Sequence, residues 1–225
     1  MMSKSSPMNR ATRILVSTFG VIVGLIGIVY GIFEILQGNT PISSFVIDAV
    51  GVGNPLWHGG PAPAVTIISS YLVTGIVAVL ASLLTATWAA AFIHLKWGGG
   101  VLIMLAVEQL MVGGGIAQPM LAVIIGLIAT RINSPLNRWR AVLSDGLLSV
   151  LAKLWPAAFT LSVLLYGLHV AIPFIIGING SFLGTTNPNL GLILGYAAIV
   201  PFGLAVAAGL ARDSLKYTDP KPSTS

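Results

Sequence analysis

Long apolar runs, broken only at turns and basic residues, dominate this chain. A membrane crossing needs about 20 apolar residues to traverse a hydrocarbon core of about 30 Å. Residues 14–36, 154–176 and 190–211 each have that length, and the run 65–95 exceeds it. Residues 98–130 are apolar apart from Glu108, Gln109 and Gln118, and Gly113, Gly114 and Gly115 interrupt them near the middle. Consecutive glycines are a poor helix interior, so this stretch predicts two helices of about 15 residues joined at the glycines. Each is short for a full crossing, which leaves a re-entrant hairpin as the alternative, tolerated only where protein buries its backbone.

The pattern predicts an all-α, polytopic integral membrane bundle of about six transmembrane helices. Its membrane domain is expected over residues 14–211, between an N-terminal tail at 1–13 and a disordered C-terminal tail at 212–225. The first run follows Lys4, Arg10 and Arg13, but is too long for a signal peptide and ends in a poor cleavage site. It reads as a retained anchor. Between the first two runs lies a loop rich in Gly, Pro, Asn and Ser, where residues 43–50 are expected to form a short helix capped by Ser43 or Ser44. Residues 139–153 look amphipathic, with Arg138, Asp145, Ser149 and Lys153 on one side.

Composition agrees with a lipid environment. Only 8% of the 225 residues are charged, against about 25% in soluble domains, and the mean hydropathy is +0.94. The net charge of +5 does not point to nucleic acid, because the basic residues flank apolar runs. Lys96, Arg131, Arg138, Arg140, Lys153, Arg212, Lys216 and Lys221 join the three N-terminal ones on a single side of the six-span arrangement. That pattern places both termini in the cytoplasm, with the plasma membrane as the expected location. There is no Cys, which excludes disulfides, thiolate metal sites and Cys nucleophiles.

Gly20, Gly24, Gly27 and Gly31 recur along the first run, and Glu34 and Gly38 continue the series. At 100° per residue these positions fall within about 40° of one line. Small residues so spaced let helices approach closely, either within one chain or across a homo-oligomer or another membrane protein. Gly191 and Gly195 repeat the spacing in the last run, and a contact between the first and last spans is expected. The glycine line would turn Glu34 inward, where it needs a partner.

Glu108 falls about 16 Å into its run. A carboxylate at that depth is costly and faces a partner, a cavity or a proton, with Gln109 and Gln118 as available partners. On the far side from the basic residues, Glu34, Asp48, His58 and His169 are polar candidates, yet they lack the close spacing of metal ligands. Asn54-Pro55 and Asn187-Pro188 lack the Ala and the placement of aquaporin half-helices. No phosphate loop, zinc-protease motif or intramembrane serine turn is present, so no catalytic set, metal or cofactor is expected and the chain reads as a non-enzyme. Asn179-Gly180-Ser181 matches a glycosylation acceptor.

Two functions are expected from these features. The first is a small transport or channel-like protein for protons, cations or a small solute, with Glu108 in the pathway. The second is a non-catalytic membrane scaffold or subunit that associates through its glycine faces.

Overall fold

A computed structural model describes residues 8–50, 62–187 and 189–216. Its helices are α1 (Arg10–Leu36), α2 (Tyr71–Thr87), α3 (Gly98–Met111), α4 (Ala117–Ala129), α5 (Asn137–Val142), α6 (Asp145–Asn179) and α7 (Asn189–Leu215). One π-helical turn, Trp88–Phe92, extends α2. Four of these helices are long and apolar enough to cross a membrane: α1, α2 with its π turn, α6 and α7. The other two expected spans, α3 and α4, have 14 and 13 residues, or about 20 Å each. They form a tight hairpin packed against α1 and α2, with Met104, Met120 and Leu127 exposed on its other side, and each helix is short of the thickness of the hydrocarbon core.

The bundle has two distinct ends. At the basic end, the start of α1 meets the turn after α4, where the Asn9 backbone N–H donates to the Ile132 carbonyl at 2.8 Å. The end of α7 joins them through Asp213, which is 1% exposed. Arg10–Arg13 and Arg212–Leu215 are therefore helical and belong to the bundle, beyond the expected domain bounds on each side. α6 runs unbroken for 35 residues through Pro156 and Pro173. Its first turns include Asp145, Ser149 and Lys153, so the amphipathic stretch is largely the foot of that helix, preceded by the short α5.

At the opposite end, residues 43–50 do not form a helix. Val46–Val50 is a strand, β1, paired antiparallel with β2 (Ala62–Val65). Val46, Ile47 and Val50 are β-branched, and such residues fit a pleated, half-buried surface. Ile47 and Ala49 turn inward while Val46 and Asp48 face out, which is the two-residue period of a strand. The inward side packs on Tyr30 of α1 and Phe174 of α6. Gln37, just past α1, ties the strand down by donating to the carbonyls of Asp48 and Ala49, at 3.2 and 3.0 Å.

The main core joins Leu15, Phe19 and Val23 of α1 to Leu102 of α3, Ile125 of α4 and Ala205 of α7. Close approach in this core depends on small residues. A Cβ on Gly20 would meet the Ala89 side chain at 2.5 Å, and one on Gly24 would meet Ala86 at 2.7 Å. One on Gly31 would meet the Gly75 carbonyl at 2.7 Å. The glycine line of α1 is thus covered by α2 of the same chain. Gly191 and Gly195 of α7 rest against Pro173 and His169 of α6, whereas α7 reaches the start of α1 through Asp213.

Candidate functional site

The hairpin of α3 and α4 turns at Val112–Ile116, and three glycines shape the turn. Gly113 and Gly115 have φ of +97° and +86°, a region that glycine enters without steric cost. The Gly114 N–H donates back to the Gln109 carbonyl at 2.9 Å, and Gly115 N–H to the Gly113 carbonyl at 2.8 Å. The turn is therefore folded back on the end of α3.

Each glycine leaves room for a polar side chain. A Cβ at Gly113 would fall on the Glu34 carboxyl, and one at Gly114 would fall on the Gln109 side chain. One at Gly115 would lie 2.7 Å from Gln118 Oε1 and 3.3 Å from the Tyr30 ring. Farther along α1, Gln109 Nε2 and Ser82 Oγ both meet Gly27. α1, α2, α3 and α4 thus contribute Glu34, Ser82, Gln109 and Gln118, in that order, to one polar row. From Gly27 to Glu34 the row extends about 10 Å along α1.

The row is buried and poor in hydrogen-bond partners. Glu34, Ser82 and Gln109 are 0% exposed and Gln118 is 8% exposed. Among the described residues, both Glu34 carboxyl oxygens, Gln109 Oε1, Gln118 Oε1 and Ser82 Oγ have no hydrogen-bond partner. Gln109 Nε2 reaches the Val23 carbonyl only at 3.5 Å, while the Gln118 amide faces the Tyr30 hydroxyl. No ion pair to Glu34 occurs among the described residues. Buried polar atoms are normally satisfied, so five unpartnered oxygens in one place distinguish this region from the rest of the core.

A polar latch closes the row at the strand end. Thr66 Oγ1 and Thr74 Oγ1 lie 2.6 Å apart, and the Thr74 hydroxyl donates to the Val112 carbonyl at 2.9 Å. Gly113 N–H donates to the Val65 carbonyl at 2.8 Å, and Ile67 N–H to the Met111 carbonyl at 3.0 Å. The segment after β2 is thereby bonded across the mouth of the glycine turn.

The structure brings together Glu34, Gln109 and Gln118 from the sequence candidates and leaves Glu108 out. Glu108 stands on the exposed face of α3, one residue from the fully buried Gln109. Asp48 is exposed on β1, and His58 lies outside the described residues. His169 is held by α7, its Nδ1 lying 2.7 Å from the Gly191 carbonyl. It lines an apolar cavity of about 490 Å³ between α4, α6 and α7, floored by Phe19. Among the described residues no three His, Cys, Asp or Glu side chains converge as metal ligands. Tyr30 and Ser82 are the members of the row that sequence reasoning missed. Both sit in unbroken apolar runs, and only a neighbouring glycine, Gly27 for Ser82 and Gly115 for Tyr30, marks each.

Comparison of the chain with protein-family models, with curated proteins and with solved structures finds no match in any of the three. Fold and site together define a helical bundle of membrane type. Large apolar side chains such as Leu84, Leu164, Ile193 and Val200 stand 56%, 57%, 60% and 76% exposed, a surface suited to lipid and unsuited to water.

Proposed function

We propose that this protein moves protons, cations or a small cationic solute, with Glu34 as the exchanging group. The observation that carries this reading is a fully buried carboxyl with no donor or counter-charge among the described residues, set against a glycine turn. An ionised carboxylate is costly in such surroundings unless a proton or cation accompanies it. A group that must be accompanied, at a break between two helices, is suited to taking up and releasing its companion. Glu108 supports the reading less well, because its side chain lies on the exposed face of α3. The competing scaffold reading relies on glycine faces, yet α2 already covers those of α1.

Reconstitution into proteoliposomes tests the proposal, with internal pH and cation content followed by dyes. Wild type and Glu108→Gln are expected to carry flux. Glu34→Gln is expected to abolish it while remaining monodisperse in detergent. Flux in Glu34→Gln equal to wild type, or wild-type flux no greater than in empty liposomes, would overturn the proposal and favour a subunit or scaffold.

A further inference from the structure

The acceptor row also limits what can accompany Glu34, and the following step rests on the reading of Glu34 just given. We infer that Glu34, Gln109 and Gln118 form a binding site for a dehydrated monovalent alkali cation of the sodium type, with Ser82 as the next oxygen along the row.

Three features select that class. The first is ligand chemistry. The unpartnered atoms are the two oxygens of one carboxylate, two amide oxygens and a hydroxyl, all hard oxygens. Such a set suits alkali and alkaline-earth ions and disfavours the softer transition metals, which take imidazole or thiolate. The second is charge. Among the described residues Glu34 is the only acid in the row, so a monovalent ion neutralises it, whereas a divalent ion would leave a net positive charge in a low-dielectric interior. The third is connectivity. The site's oxygens come from α1, α3 and α4, meeting at Gly113–Gly115, and a helix break beside them is the setting in which membrane proteins coordinate small cations. An ion held by three helices binds the folded chain and not the unfolded one, and so it raises the melting temperature.

The full chain, purified in detergent in choline chloride, provides the test. NaCl, KCl, LiCl or CaCl2 is added at constant ionic strength while thermal unfolding is followed, and binding of radioactive sodium is measured in parallel. A saturable rise in Tm of several degrees with NaCl, exceeding that with CaCl2, is expected, together with saturable sodium binding. Glu34→Gln should lose both responses. Gln118→Ala keeps the charge but removes one oxygen, and should weaken sodium binding about tenfold or more, which serves if Glu34→Gln fails to fold. Absence of saturable sodium binding by wild type, a larger response to CaCl2, or an unchanged response in folded Glu34→Gln would overturn the inference. Glu34-dependent proton flux without any sodium response would sink the cation site and leave the proposed function standing. A sodium response without flux would do the reverse.

Discussion

Asp213, near the end of α7, caps the start of α1 through Thr12: its Oδ2 accepts from both the Thr12 backbone N–H and the Thr12 hydroxyl, each at 2.9 Å. Its Oδ1 accepts from the Ala11 N–H at 3.0 Å. The first N–H groups of a helix have no partner within the helix, and a side chain at the N-cap commonly satisfies one. Asn9 occupies that position here, but its amide donates instead to the carbonyls of Arg131 and Ser134. A carboxylate about 200 residues away takes over the cap, and its charge suits the positive end of the helix dipole.

Removing that carboxylate should loosen the basic end of the bundle. Asp213→Ala leaves two buried N–H groups unsatisfied, and bonds to charged groups contribute about 1.5–3 kcal/mol each. The variant is expected to melt several degrees below wild type in detergent. Thr12→Val deletes only one of the three bonds and should show a smaller loss. A Tm unchanged in Asp213→Ala would show that the clasp contributes nothing to stability.

The glycine line makes a prediction with its own control. On Gly31 a methyl would meet the Gly75 carbonyl at 2.7 Å and the Val79 backbone nitrogen at 2.9 Å, and backbone cannot rotate aside. Overpacking of this kind costs about 1–3 kcal/mol, so Gly31→Ala should lower Tm and Gly31→Leu should prevent folding. Gly100 has nothing within 4 Å of its would-be Cβ. Gly100→Ala should be neutral or stabilise by up to about 1 kcal/mol, because Ala favours the helix. Equal effects at the two positions would refute close packing of α1 on α2.

The latch over the glycine turn can be read by hydrogen exchange. Thr74→Val keeps the shape but removes the donor to the Val112 carbonyl and the partner of Thr66. Leaving a buried acceptor unsatisfied costs about 1–3 kcal/mol. Exchange should rise at Ile67 and Gly113, whose N–H groups bond across the same seam, while the middle of α6 stays protected. Uniform protection in the variant would mean that the seam is held by packing alone.

The long apolar helices were legible because length and hydropathy alone define them, and the glycine turn because three consecutive glycines weaken a helix interior. The line Gly20–Gly24–Gly27–Gly31 was equally visible, but its partner was not. Spacing shows that one face of α1 is small without showing that Ala86 and Ala89 of α2 complement it. The choice between Glu108 and Gln109 failed for a related reason. Counting along α3 measures depth, whereas adjacent residues differ by about 100° in direction. The face is set by Leu102, Leu105 and Ala106, which share the buried side with Gln109. Glu34 was indicated by its place on the glycine line, but its meeting with Gly113 depends on the α3–α4 turn returning to α1. The strands were hidden because Ser43 and Ser44 resemble helix caps and because β1 and β2 are only five and four residues long.

Gly113 and Glu34 provide the most direct test of the site's geometry. Two costs meet in Gly113→Ala: a non-glycine residue at φ +97°, which costs of order 1–3 kcal/mol, and a methyl placed on the Glu34 carboxyl. Glu34→Ala removes only the second. The double variant should therefore be destabilised by less than the sum of the single ones, with a coupling within the range of about 0.5–3 kcal/mol typical of residues in contact. A loss from Gly113→Ala itself should remain, because the backbone conformation is unchanged. Denaturation of all four proteins in the same detergent completes the cycle. Strict additivity would place Glu34 away from the turn and would remove the contact on which the polar row depends.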